Sequence, residues 1–176
     1  ASDVYKRQPQ IKIKSFKYIQ WRFVFRYLIL GYFFKMVIAD NISPITGAII
    51  AEVIPTLSAY TLLIYLYGYS IQIFADFAGY SFIALGLGYL FGYRLIINFN
   101  YPYISKSFAE FWRRWHISLS LFLKMYLYIP LGGNKKSSLR TYLNLFVVMF
   151  LGGLWHGAAW SYACLLYTSD AADEGL

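Results

Sequence analysis

The sequence has little charge, one cysteine and two histidines. Charged residues make up 14% of its 176 residues, and only 8 of them are acidic, whereas an average soluble domain has roughly 25% charged residues. The single Cys164 excludes an internal disulfide and a multi-cysteine metal site, and we interpret it as a buried thiol. The histidines, His116 and His156, occur without an HExxH motif, which leaves too few ligands for a zinc site. We therefore expect no metal.

Long uncharged runs are what the sequence has instead. Hydrophobic residues make up 59% of the chain, and no charged residue occurs in Val53–Ala75, Phe77–Tyr93 or Thr141–Ser169. A bilayer-spanning helix needs about 20 apolar residues, so the first and third runs are long enough and the second is marginal. The net charge of +8 comes from basic residues beside these runs, which is typical of topology anchors and not of a nucleic-acid interface. The composition predicts an all-α integral membrane protein with no nucleic-acid partner.

The runs predict a series of helices. Phe23–Ala39 is apolar and carries Lys35 near its end, where its long stem can reach the headgroups. Residues 40–44 indicate a loop or a helix start. Leu57–Ala75 is the clearest spanning helix, and the glycines of Phe77–Tyr93 permit close packing against other helices. These glycines are Gly79, Gly86, Gly88 and Gly92.

Asp76 separates two of the uncharged runs. We interpret it as a helix cap at the membrane interface, with a proton or cation site in a transporter as the alternative. Basic residues also cluster near the N-terminus, at Lys12, Lys14, Lys17, Arg22 and Arg26. Three crossings between Phe23 and Tyr93 would place the basic residues from Lys106 to Arg140 on the opposite side from this cluster, against the positive-inside tendency. We therefore hypothesise that Phe77–Tyr93 is re-entrant.

The stretch SKSFAEFWRRWHISLSLF predicts one amphipathic helix after NFNYPY has interrupted the preceding one. Its apolar side chains recur every three or four residues, and Arg113, Arg114 and Glu110 lie away from that stripe. His116 extends the edge of the stripe. The stripe consists of Phe108, Phe111, Trp112, Trp115, Leu119 and Phe122.

The stretch GGLWHGAAW places His156 in one of the least polar parts of the chain. An ionisable group at membrane depth costs a few kcal/mol, which makes it a functional candidate. A neutral imidazole there can take a proton from a hydroxyl. The alternative is a histidine that only ties two helices together by a hydrogen bond, and the spacing alone leaves both open for His156 and for His116.

Four motifs then occur in a specific order: DFAGYSFIALGLGYLFGYRLIINFNYPYIS, FWRRWHISLS, YLYIPLGGN and NLFVVMFLGGLWHGAAW. Together they resemble the membrane-bound O-acyltransferase family, in particular its alginate O-acetyltransferase branch, from about Trp21 to Tyr162. The resemblance implies a multi-helix transmembrane bundle with re-entrant or interfacial helices around a funnel or tunnel. It also implies a partial family domain at residues 9–164, and we interpret residues 1–8 and 165–176 as non-native flanking sequence.

The resemblance implies roles for particular residues. His156, in the LWHG motif, would be the catalytic base, and His116 would orient or polarise a reacting group. The candidate substrate-binding residues are Arg113, Arg114, Asn98, Asn100 and Trp155, the two arginines having lipid anchoring as an alternative. The branch commonly has Asp where this sequence has Phe82, and an Arg-Asp pair where it has Lys124 and Met125, so this sequence lacks the carboxylates that the resemblance implies at these two places.

The implied function is O-acylation of a cell-envelope polysaccharide hydroxyl, with acetyl as the expected acyl group. The protein would either acylate that hydroxyl itself or pass the acyl group across the membrane to it. The resemblance implies no bound cofactor and an acyl thioester, either acetyl-CoA or an acyl carrier, as co-substrate. It implies a multi-pass protein of the bacterial cytoplasmic membrane. The implied partners are the bilayer and either an envelope polysaccharide or a periplasmic acyltransferase. The alternative function is a proton-coupled transporter or channel fragment that uses Asp76 and His156.

Overall fold

The computed structural model describes Lys17 and residues 19–51 and 58–156, and every regular element in that part of the chain is a helix. The chain divides after Ile97 into two compact units. The first unit contains α1 (Trp21–Tyr32), a π-helix (Phe33–Ala39), α2 (Asp40–Ala51) and α3 (Ala59–Leu90). The second contains a short 3₁₀ helix (Pro102–Ile104), α4 (Phe108–Arg114), α5 (Ile117–Leu123), a second π-helix (Lys124–Tyr128) and α6 (Ser138–His156).

The first unit is an antiparallel helical hairpin. Its first arm runs through α1, the π-helix and α2 without a gap, and its second arm is α3. Phe23 stacks on Tyr89 near one end, with ring centroids 5.2 Å apart, and Thr46 donates a hydrogen bond to Gln72 towards the other. Residues later in the first arm therefore contact residues earlier in α3, as in an antiparallel pair of helices.

Glycines set the distance between the two arms. A Cβ atom at Gly31 would lie 2.8 Å from the carbonyl oxygen of Gly79, and one at Gly86 would lie 2.8 Å from Leu28 Cγ. The prediction of close packing is confirmed for Gly79 and Gly86. Gly92 differs, because it lies past the end of α3 with φ of +74°, where glycine ends a helix without strain.

Aromatic side chains fill the contact beside the glycines. Phe82 packs against Tyr27 at 6.0 Å between ring centroids and edge-on against Phe34 at 5.7 Å. Phe34 makes a further edge contact with Phe74. Phe82 is therefore part of an apolar contact between the two arms.

The interpretation of Asp76 as a helix cap is wrong. Asp76 lies inside α3, and Ala59–Ala75 and Phe77–Leu90 form one continuous helix. Asp76 binds Lys35 Nζ at 2.6 Å, so Lys35 has a partner beside the middle of α3. A single charge in an apolar run does not end a helix when a charge on a neighbouring helix pairs with it.

The hypothesis of a separate re-entrant segment at Phe77–Tyr93 is likewise wrong, since these residues continue the preceding helix. α3 has 32 residues, and it is the one helix among the described residues that is long and apolar enough to cross a membrane. At 1.5 Å per residue it is about 48 Å long, more than the roughly 30 Å of the hydrocarbon layer. The loop predicted as one alternative for residues 40–44 is also absent, because α2 begins at Asp40 directly after the π-helix.

Candidate functional site

His116 lies at a break between two short helices. α4 ends at Arg114 and α5 begins at Ile117, so the prediction of one continuous amphipathic helix is wrong. His116 has φ of 44° and ψ of 53°, the left-handed conformation. Only Tyr101 shares a positive φ among the non-glycine residues of the described ranges. Such a backbone costs about 1–3 kcal/mol and persists where surrounding contacts enforce it.

Asn98 supplies the contacts that enforce this break. Its main-chain oxygen accepts a hydrogen bond from Ile117 N at 3.0 Å, and its side-chain oxygen accepts one from Ser118 N at 3.2 Å. The first N–H groups of a helix have no partner within the helix. Asn98, from the NFNYPY segment, therefore caps α5 from a distant point in the chain.

Arg114 holds the next part of the NFNYPY segment. Its main-chain oxygen accepts a bond from Asn100 N at 3.0 Å, and its Nη1 donates to Asn100 O at 3.1 Å. Its Nη2 and Nε donate to Glu110 Oε1 at 2.7 Å and 3.0 Å. Arg114 therefore has an internal partner set, whereas the neighbouring Arg113 has an exposed side chain.

Glu110 is held at the first turn of α4. Its Oε2 accepts a hydrogen bond from Lys106 N at 2.9 Å, and its own N–H donates to Ser107 Oγ at 3.2 Å. The Lys106 N–H first, and the Arg114 guanidinium second, lower the pKa of the Glu110 carboxyl below its usual value. The ionised carboxylate is the form that these contacts stabilise.

Aromatic rings pack around the same break. Phe99 is buried and meets Trp115 edge-on with ring centroids 5.0 Å apart. Trp115 stacks on Phe111 at 5.5 Å, and Tyr103 lies beside both. These ring contacts bury apolar surface beside the hydrogen bonds of Asn98 and Asn100. The NFNYPY segment and the break at His116 therefore form one local structure.

The second histidine lies at the end of α6. This helix packs against the preceding π-helix, and a Cβ atom at Gly152 would lie 3.2 Å from Leu123 Cδ1. His156 follows Gly152 by four residues, about 6 Å further along the axis. The side chains of Trp155 and His156 lie outside the described residues, so the roles predicted for them stay predictions.

The turn before α6 reverses the chain direction. Asn144, which is 3% exposed, donates from Nδ2 to the carbonyl oxygen of Gly133 at 2.9 Å. Gly132 and Gly133 have φ of +109° and +55°, a backbone conformation that suits glycine in a turn. Because α5 starts just after His116 and the returning α6 ends at His156, both histidines lie towards the same end of this helical pair.

Comparison with known proteins identifies the family. The profile of the membrane-bound O-acyltransferase family matches residues 2–168. The chain belongs to the membrane-bound O-acyltransferase family.

Three curated relatives of this chain have different printed names. A "probable alginate O-acetylase" of Azotobacter vinelandii is 50% identical over 132 residues, which are 75% of this chain and 26% of the relative. A "peptidoglycan O-acetyltransferase" of Helicobacter pylori is 43% identical over 162 residues, 88% of this chain and 30% of the relative. A "teichoic acid D-alanyltransferase" of Bacillus subtilis is 39% identical over 107 residues, 57% of this chain and 27% of the relative. The chain thus spans about a quarter to a third of the length of these relatives.

Most, but not all, of the described residues that were predicted for the site lie together. Asn98, Asn100, Arg114 and His116 come together at the break between α4 and α5, and Arg113 points to the surface. The sequence reasoning missed Glu110 as the partner of Arg114, although the spacing of four residues and the S-x-x-E pattern at Ser107 indicate it. It also missed the pairing of Lys35 with Asp40 and Asp76. The described residues contain no group of three metal-ligating side chains.

Proposed function

We propose that this chain is the histidine-bearing part of a membrane O-acyltransferase that transfers an acetyl group to a cell-envelope polysaccharide hydroxyl or passes the acyl group across the membrane to it. The observation that carries the proposal is the break at His116, held by Asn98 at the same end of the α5–α6 pair as His156. The curated relatives support the acyl chemistry, since they are named for alginate, peptidoglycan and teichoic acid modification.

The proposed step is attack of a hydroxyl on a thioester. His156 takes the hydroxyl proton as the oxygen bonds to the acyl carbon, the carbon–sulfur bond breaks, and the proton passes to the departing thiolate. His116 orients or polarises a reacting group from its fixed position at the break. The donor is acetyl-CoA or an acyl carrier, used as a co-substrate and not as a bound cofactor. Arg113 is an exposed cation of this region, and it would bind an anionic donor or polymer.

The first unit supports a membrane orientation. Arg22 and Arg26 at the start of the hairpin lie at the same end as Arg94, which follows α3. The positive-inside tendency places this end in the cytoplasm. Because the hairpin has two arms, the chain returns to the side on which it began, and the charge conflict of three crossings disappears.

The proposed location is the bacterial cytoplasmic membrane, with several crossings in the full-length protein. The apolar helix Ile117–Tyr128 is shorter than the roughly 20 residues that a span needs. Its length supports an interfacial or re-entrant helix at the wall of a funnel or tunnel. The acyl group would leave through it to an envelope polysaccharide or a periplasmic acyltransferase partner.

A proton-coupled transporter is the second candidate, and the charges of Lys35 and Asp76 within the hairpin are the observation that favours it. Proteoliposomes that contain the full-length protein separate the two. With labelled acetyl-CoA and, in parallel, a labelled acyl carrier outside, the enzyme produces labelled ester on an added polysaccharide acceptor without a proton gradient. Proton-coupled flux without any acyl transfer would contradict the proposed function.

A further inference from the structure

A charged cluster lies beside the middle of the longest helix. Asp76 is within about 3 Å of the midpoint of α3 along its axis. Lys35 Nζ lies 2.6 Å from Asp76 Oδ1 and 3.1 Å from Asp40 Oδ1. These three side chains, Lys35, Asp40 and Asp76, are called the charged cluster below. Charges at such a depth are rare in membrane helices and mark functional or interaction sites.

The π-helix before Asp40 explains why two members of the cluster face the same way. The main-chain N–H of Asp40 bonds to the carbonyl oxygen of Lys35, five residues earlier. In an α-helix, residues five apart point in different directions, whereas the wider π-turn brings them together. The local backbone thus directs both side chains towards Asp76, and π-turns of this kind occur frequently at functional sites.

The cluster has an excess of negative charge and is open on one side. It contains two carboxylates and one ammonium group, a net charge of −1 when all are ionised. Its side chains are 43–54% exposed. Beside Lys35 and Asp76 is a cavity of about 500 Å³ whose other walls are Phe77, Tyr80 and Ile83.

Lipid chains are a poor cover for this opening. An uncompensated charge in a medium of low dielectric constant is strongly unfavourable unless an opposite charge pairs with it. The chain spans 26% of an alginate O-acetylase relative, so most of a protein of that length is available to cover the hairpin. A covering helix that adds one positive charge would leave two carboxylates facing two cations.

We propose that the cavity beside the charged cluster is the docking site of another membrane helix of the full-length protein, and that this helix supplies an arginine or lysine that pairs with Asp40 and Asp76. The apolar walls at Phe77 and Ile83 receive the aliphatic stem of that side chain. The proposal does not depend on acyl transfer.

Photo-crosslinking of the full-length protein in lipid nanodiscs tests the occupant. Benzoylphenylalanine replaces Tyr80, which lines the cavity and is 71% exposed. We expect a cross-linked peptide from outside this chain's 176 residues that carries an arginine or lysine in an apolar stretch. A product with lipid alone, a peptide without a basic residue, or no product would overturn the proposal. Tyr67, equally exposed on α3, is the matched control, and the same product from both positions would also contradict a site at the cluster.

Two variants test the role of charge. Asp40→Asn removes the net negative charge, and we expect the yield of the Tyr80 cross-link to fall several-fold. The double variant Lys35→Met/Asp76→Asn removes one charge of each sign and retains the net charge of −1, so we expect its yield to stay near the wild-type value. An unchanged yield in Asp40→Asn would overturn the pairing, and it does so whether or not the double variant folds. Equal losses in both variants would overturn it as well.

Discussion

The side-chain oxygen of Asn98 accepts a hydrogen bond at 3.2 Å from the main-chain N–H of Ser118, twenty residues along the chain. Substitution Asn98→Ala removes this cap, and we expect a loss of about 1 kcal/mol in the free energy of unfolding. Asn98→Asp keeps an acceptor at the same place and is the matched control. Chemical denaturation in detergent micelles compares the two, and equal stability of the Ala and Asp variants would show that the side chain does not cap α5.

The close approach of Gly31 to α3 makes a second prediction. A Cβ atom there would lie 2.6 Å from Ile83 Cγ1 and 2.8 Å from the carbonyl oxygen of Gly79, so Gly31→Ala forces the helices apart and should cost about 1–3 kcal/mol. Gly47→Ala is the control, because no side chain or other segment among the described residues lies within 4 Å of its Cβ position and alanine favours a helix. Thermal unfolding of both variants checks this, and a Gly31→Ala protein as stable as Gly47→Ala would refute the packing.

The carboxylate of Glu110 predicts a dependence of stability on pH. Its pKa is lowered in the folded state by the Lys106 N–H and Arg114, so the unfolded chain binds a proton more readily. The stabilisation is present above the pKa of the unfolded chain and is lost as the pH falls through the lower pKa of the folded state. Unfolding temperatures from about pH 6 to about pH 3 should fall less steeply in Glu110→Gln than in the wild type. Parallel curves would contradict the contribution of this carboxylate.

Removal of the buried side-chain amide of Asn144 should lower the free energy of unfolding. Asn144→Ala leaves the carbonyl oxygen of Gly133 without this donor, and we expect a loss of about 1–3 kcal/mol. Asn134→Ala, at an exposed position of the same turn, should change stability by less than about 0.5 kcal/mol. Denaturation curves of the two variants decide the matter, and similar losses for both would mean that the Asn144 hydrogen bond does not stabilise the turn.

The helical class and the glycine contacts of the hairpin were predictable from the sequence, because composition and small residues report on them locally. The continuity of α3 was not. Asp76 looks like a boundary in a hydropathy pattern, but Lys35, 41 residues earlier, compensates its charge inside the helix. A partner at that separation leaves no trace in the local pattern.

The break at His116 escaped prediction for a similar reason. The spacing of apolar residues from Phe108 to Phe122 fits one helix, because α4 and α5 each keep the helical period. The break depends on hydrogen bonds from Asn98 and Asn100, which the sequence places in a separate segment. The order of the motifs identified the candidate residues, whereas their arrangement required the tertiary contacts.

The most direct test of the account is the rate of acyl transfer by the full-length protein with His156→Gln. Glutamine keeps hydrogen-bonding ability and similar size but cannot act as a general base. With wild-type-like unfolding behaviour established, we predict a fall in rate of roughly 10²–10⁴-fold. A rate within about twofold of the wild type would contradict the assignment of His156 as the catalytic base.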